Sequence, residues 1–335
     1  MINVYDVSAY IYAGMNTNFG KKAKYSGIPT GGIYNLMRAI ASAIKNKDIV
    51  VLTFDSWTNA SSILPGYKGG RSRVADVRFQ VDLAYQYLKN TVPNCYKFEG
   101  YEADWIAASV FDEVVAMKDF YISGYTVDLD WAHNIVNEKT QLLPASTNFY
   151  LVNKDNFEQI VWNKNINIPF NTITFSKVLF GDASDGVSPM YVPGKYDLES
   201  LFKIYCQFCI KNGLDNRLKS TALNYVNTFK EHFGEKAYDE LLKRIDVFYP
   251  RPLPNRDKLS FDQINPESLS KLLSLTGCKS ICKGLGIPFI DNMGELQEEV
   301  RKKYIEELGQ TSKTRLFAEK PVEEVLQIKD RGGFK

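Results

Sequence analysis

Apolar runs alternate with helical periodicity along the first 190 residues. Asn3–Val7 is a short apolar strand, and Asp48–Phe54 is a continuous apolar run leading into Asp55. A run without polar alternation suits a strand covered on both faces of a parallel sheet. Pro29–Lys45 places Ile33, Leu36, Met37, Ile40 and Ile44 at helical spacing, with Pro29 at an allowed early position. Helices are also predicted over Val74–Leu88 and Glu102–Met117, and strands over Cys95–Phe98, Asp119–Ser123 and Phe149–Val152. Such alternation predicts an α/β fold with a mostly parallel central sheet and flanking helices. After about Met190 the pattern turns helical, over Leu198–Asn212, Leu218–Phe233, Lys236–Ile245 and Glu295–Leu308. A proline-rich linker, Phe248–Asn255, divides these helices, and Arg331–Lys335 reads as a frayed end. The implied organisation is an α/β unit over 1–190 followed by a mainly helical region over 191–335.

Composition narrows the function class. Hydrophobic residues make up 44% of the 335 and charged residues 24%, which excludes a fibrous or mainly disordered chain. No apolar stretch approaches about 18 residues, so no membrane span is expected. The start, Met1–Asp6, lacks the basic and apolar regions of a signal peptide, which points to the cytoplasm. The five cysteines are expected as reduced thiols. Cys206 and Cys209 with Cys278 and Cys282 offer a four-thiolate zinc set by spacing. Core packing is the preferred reading, because Cys206 and Cys209 lie on an apolar helix. Only two histidines occur, His133 and His232. That argues against histidine-based zinc hydrolysis, and His133 is read as polar packing.

The formal net charge of +2 conceals two opposed blocks. Lys21 to Asn90 holds eleven Lys and Arg against four Asp, whereas Glu99 to Asp130 holds eight Asp and Glu against Lys118 alone. Asp112, Glu113 and Lys118 read as a solvated helix face. Asp6 and Asp55 each close a strand, Glu102 and Asp104 open a helix, and Asp128 and Asp130 follow a strand. In a parallel sheet these ends share one edge. Alone, each also reads as a turn or cap residue. Gathered together they would repel one another unless cations bound them, and an all-oxygen set suits Mg²⁺ or Mn²⁺. Two such ions could clamp the attacking and leaving oxygens of a phosphodiester, with the basic block holding the phosphate backbone.

Seven segments in order resemble the phage-type 5′→3′ exonuclease/flap endonuclease family, with its PIN-like catalytic domain. They are Asp6–Tyr12, Gly27–Tyr34, Val51–Asp55, Tyr67-Lys-Gly-Gly-Arg71, Gly100–Asp104, Ile122–Gly124 with Asp128-Leu-Asp130, and Gly181-Asp-Ala-Ser-Asp185. Each is weak alone; the ordered set covers residues 2 to about 190. The helical tail is loosely similar to the ribonuclease H (5′ exonuclease) of T-even phages.

The resemblance implies a structure-specific 5′ nuclease using two Mg²⁺ or Mn²⁺ ions. Asp6, Asp55, Glu102 and Asp104 would hold one ion, and Asp128, Asp130, Asp182 and Asp185 the other. Lys68 and Arg71, on an arch segment over about 56–90, would contact the scissile phosphate, and Tyr12 would stack on a terminal base. The implied partners are DNA with a 5′ end or flap and RNA–DNA hybrid, with a clamp or single-stranded-DNA-binding protein beside a monomeric enzyme in the bacterial host cytoplasm. Primer removal in phage replication is the implied role. Three departures stand out: Trp105 replaces a second aspartate after Asp104, Tyr125–Val127 is extra before Asp128, and a glycine-rich duplex-binding hairpin is missing after Asp185. They keep an inactive branched-DNA-binding protein open as an alternative. A PIN-type endoribonuclease is disfavoured by the chain length.

Overall fold

The computed structural model describes residues 1–56, 60–68, 74–144, 151–157, 168–193, 196–254 and 257–318. The chain opens with β1 (Ile2–Asp6), α1 (Val7–Met15), the short pair β2 (Lys24–Tyr25) and β3 (Ile28–Pro29), and α2 (Gly31–Lys45). It continues through β4 (Ile49–Thr53), α3 (Ala60–Ile63), α4 (Ala75–Leu88), β5 (Asn94–Tyr96), α5 (Ala103–Met117) and β6 (Ile122–Thr126). A 3₁₀ segment, Leu129–Asn134, leads to β7 (Thr140–Pro144), β8 (Val152–Asn153) and α6 (Ile173–Phe180). The remainder is helical: α7 (Leu198–Asn212), α8 (Lys219–Thr228), α9 (Lys230–Phe233), α10 (Glu235–Phe248), α11 (Ser270–Leu275), α12 (Lys279–Leu285) and α13 (Gly294–Ala318).

Six strands form one sheet in the order β5-β4-β1-β6-β7-β8. The first five run parallel, and β8 lies antiparallel to β7. All five residues of β1 and of β4 are buried, as the uninterrupted apolar runs require of strands covered on both faces. Alternation divides them between two cores. Ile2, Val4, Ile49 and Val51 face α5 and the helices α6 to α10, while Tyr5, Val50 and Leu52 face α1, α2, α4 and α11 to α13. Strand order reverses at β1: β4 and β5 lie on one side, β6 and β7 on the other. In open α/β sheets such a switch point opens a crevice beyond the carboxyl ends of the strands.

Several predicted elements shift. Pro29 belongs to β3 and pairs with Lys24, so α2 begins at Gly31. The strand expected over Asp119–Ser123 runs over Ile122–Thr126, so it takes in Tyr125 and Thr126. Helices α1, α6, α11 and α12 and strand β7 were not foreseen. Phe149, Tyr150, Asn255 and Arg331–Lys335 lie outside the described residues. The thiols pack in separate cores, Cys206 and Cys209 in the first, Cys278 and Cys282 in the second. Among the described residues no helix is long and apolar enough to cross a membrane.

Helices α1 and α2 meet closely. A Cβ on Gly32 would lie 2.6 Å from Ile11 Cγ2 and 2.7 Å from the Ile11 carbonyl. Thr30 gives α2 no side-chain cap; Gln80 Oε1 accepts from the Gly32 and Ile33 amides instead, at 2.9 and 3.1 Å. This contact ties the arch-side helix α4 to the base of α2. Gly32→Ala therefore overpacks the junction, with an expected loss of about 1–3 kcal/mol, read as a lower denaturant midpoint at unchanged slope.

Candidate metal and phosphate site

The carboxylates sit where the strands end. Asp6 closes β1 and caps α1: its Oδ1 accepts from the Ala9 amide at 3.0 Å and its Oδ2 from the Thr126 hydroxyl at 3.1 Å. Asp55 follows β4 and accepts from the Ala103 amide, 3.0 Å away, at the start of α5. Glu102 occupies the capping position of α5 and Asp104 its first turn. Thr126, at the end of β6, also accepts from the Asp128 amide (3.0 Å), and Asp128 Oδ1 accepts from the Asp130 amide (3.0 Å). Asp182 caps the short 3₁₀ turn Ala183–Asp185 by accepting from the Ser184 amide (2.8 Å) and hydroxyl (2.6 Å).

Asp104, Asp128, Asp130 and Asp185 line one cleft with Lys68, His133 and Lys177. Asp6, Asp55, Glu102 and Asp182 border it through the contacts above and through charge. Burial, then the charges of Asp55 and Asp128, push Asp6 up to about 7. Burial and Asp128 do the same to Asp130, which reaches about 7 against the opposing pull of Lys177. Asp104 is raised well above the carboxylate range by burial and Glu102. Like charges out of water disfavour ionisation, and a divalent cation would relieve that cost.

Two lysines supply countercharge. Lys68 Nζ donates to Glu102 Oε2 at 2.6 Å, beside the Tyr67 hydroxyl on the same oxygen at 3.2 Å. Lys68 adopts φ +53°, and its amide donates to the Asp185 carbonyl at 2.7 Å, docking the segment after α3 onto the second acidic motif. Lys177, on α6, ion-pairs with both Asp130 and Asp182. Burial pushes Asp182 up, but Lys177 and the Ser184 hydrogen bonds outweigh it and leave it below the usual range. Lys177 was missed in the sequence because α6 was not read as a helix. Its place one helical turn before Gly181-Asp182 was the available signal. Among the described residues, no three His, Cys, Asp or Glu close into a ready-made ion cage. The donor set is nonetheless chemically suited to a divalent cation, since oxygen donors dominate and Asp6, Asp104 and Asp130 stay raised despite the two lysines.

The other expected residues stand apart. Tyr12 is half-exposed on α1 and is not among the cleft-lining residues. Arg71 lies outside the described residues. Trp105 is buried, edge-on to Tyr101, with the Arg251 guanidinium 5.0 Å from its ring. His133 is buried, and burial lowers it to about 4.

Residues 3–161 match the family described as 5′–3′ exonuclease, N-terminal resolvase-like domain. Just under half of the chain thus carries this 5′–3′ exonuclease N-terminal domain. A domain of this kind points to nuclease activity. Among solved structures, this chain is similar to the 5′-exonuclease of bacteriophage T5 with bound zinc, at 15% identity and TM-score 0.46, covering 91% of this chain and 98% of that one. A flap endonuclease of bacteriophage T5 in a pseudo-enzyme–product complex with DNA and metal ions is similar at 13% identity and TM-score 0.48, with the same coverage. The catalytic core of Rad2 with DNA substrate is similar at 15% identity and TM-score 0.40, covering 90% and 91%. No curated protein matches the sequence.

The raised carboxylates set the pH dependence of the metal-free protein. A folded pKa above the unfolded value contributes stability that is present at low pH and lost as pH rises through the folded pKa. Asp6 loses its contribution between its ordinary value of 3.8 and about 7. In chelator, Asp6→Asn should therefore melt close to wild type at pH 4 and above it at pH 8. A constant difference in melting temperature across that range would contradict the assignment.

Proposed function

We propose that the chain is a divalent-metal-dependent, structure-specific 5′ nuclease that hydrolyses phosphodiesters at 5′ ends or flaps, with RNA primers of phage replication among its substrates. The observation that carries this reading is the gathering of carboxylates from five sequence segments around one cleft, where Asp6, Asp104 and Asp130 stay raised despite the two lysines. Asp6, Asp55, Glu102 and Asp104 would hold one ion, and Asp128, Asp130, Asp182 and Asp185 the second. Bound Mg²⁺ or Mn²⁺ would supply Lewis acidity at the attacking and leaving oxygens.

The chain's own groups prepare that chemistry. The Ala9 amide and Thr126 hydroxyl fix both oxygens of Asp6, which preorganises a ligand at little entropic cost. Tyr67 and Lys68 orient Glu102. The Lys68 side chain is also 30% exposed, so it can transfer from Glu102 to an incoming phosphate and stabilise charge developing there. Lys177 holds Asp130 and Asp182 apart from mutual repulsion. Arg71 would add a second phosphate contact, and Tyr12 would stack on a terminal base.

The inactive branched-DNA-binding alternative draws on Trp105, which is committed to packing and cannot serve as a ligand. One assay separates the two readings. With Mg²⁺ or Mn²⁺, purified protein should release product from a 5′-labelled flap or RNA–DNA hybrid, and Asp130→Ala should lose on the order of 100-fold while still binding branched DNA. Wild-type binding without cleavage under either ion selects the inactive reading. A separate check uses no substrate. Ion binding to the folded form alone should raise the melting temperature by mass action, equivalent to about 2.7 kcal/mol at one hundred times the dissociation constant. No shift at millimolar ion would exclude the proposed centre.

A further inference from the structure

The cleft holds one nitrogen donor among its oxygens. His133 is 6% exposed and lines the cleft with Asp128 and Asp130. Its Nδ1 lies 2.7 Å from the Asp130 carbonyl. A carbonyl only accepts, so Nδ1 carries the ring proton and Nε2 keeps a lone pair. Nε2 is fully buried and has no hydrogen-bond partner among the described residues. A buried acceptor left unpaired costs about 1–3 kcal/mol, and it calls for a specific account. A backbone carbonyl that fixes the tautomer through one ring nitrogen and leaves the other free is the arrangement by which ligating histidines are oriented.

We infer that His133 is a ligand of the ion held by Asp128 and Asp130, donating through Nε2. This rests on the metal-centre reading above and goes beyond it: the centre has mixed nitrogen and oxygen donors. An imidazole donor shifts preference from Mg²⁺, which favours oxygen, toward first-row transition ions. The 3₁₀ segment Leu129–Asn134 then serves as a compact ligand unit. It carries Asp130 and His133 one turn apart, with Asp128 as its cap. The alternative is that His133 only fills space.

Pulsed EPR on untagged, Mn²⁺-loaded protein decides the matter. The chain has two histidines, and His232 packs against Tyr196 and Phe229 in the helical region, so the signal can be assigned. Wild type and His232→Gln should both show the ¹⁴N modulation of a coordinated imidazole, and His133→Gln should lose it. Mn²⁺ affinity of His133→Gln should fall on the order of 10- to 100-fold, with a smaller change for Mg²⁺. Bound Mn²⁺ without nitrogen modulation in wild type overturns the inference and leaves the carboxylate centre standing. Failure of wild type to bind Mn²⁺ overturns both. Should His133→Gln not fold, the spectra of wild type and His232→Gln remain decisive.

Discussion

The repulsion among carboxylates at the carboxyl edge of the sheet is the constraint around which this molecule is arranged. Asp6, Asp104 and Asp130 all resist ionisation, each because burial is compounded by neighbouring negative charge. A fold selected for stability alone would not place them together. It survives here because the sheet beneath is rigid and covered on both faces, so the cost falls on a scaffold that can bear it. The parallel register leaves little freedom. Once Asp6 aligns with Thr53 in β4 and Tyr5 with Tyr125 in β6, the residues that follow each strand are brought to the same edge.

The chain also supplies cations against that repulsion, from two independent elements. Lys68 comes from the segment after α3 and Lys177 from α6. Each pairs with carboxylates of a different proposed ion site, Lys68 with Glu102 and Lys177 with Asp130 and Asp182. The Lys68 backbone also bonds the Asp185 carbonyl, so this residue is tethered to the second acidic motif while its ammonium reaches Glu102. Displacement of Lys68 would thus be felt at both carboxylate groups. Buried charges removed from one partner are costly, which explains why these lysines are held so firmly.

Much of this was legible in the sequence where the signal is local. The strand-end aspartates were visible because β1 and β4 are unbroken apolar runs that stop at a carboxylate. The opposed charge blocks were visible as counts. What stayed hidden depends on tertiary contacts. Pro29 looked like a helix start but pairs in β3, since Gln80, 48 residues beyond Gly32, caps α2 in its place. The place of Tyr125 and Thr126 in β6 stayed hidden because that strand begins later than its apolar residues suggest. Tyr125 stacks on Tyr5 and Thr126 binds Asp6, contacts that only the register of β1 against β6 creates. Lys177 had no motif of its own.

Trp105 shows how one position can be taken from the site without dismantling it. Successive helical residues differ by about 100° around the axis, so residue 105 faces away from the wall that Asp104 presents to the cleft. That direction is occupied by Tyr101 and the Arg251 guanidinium, and the Tyr101 hydroxyl donates to the Pro252 carbonyl at 2.9 Å. The first turn of α5 is therefore anchored to the proline-rich linker after α10. Glu102 and Asp104 need a fixed helix start more than they need another nearby negative charge, because each added carboxylate raises the repulsion already felt by Asp104. A large aromatic side chain at 105 meets the first need and avoids the second, so the departure from the acidic motif is consistent with a working centre.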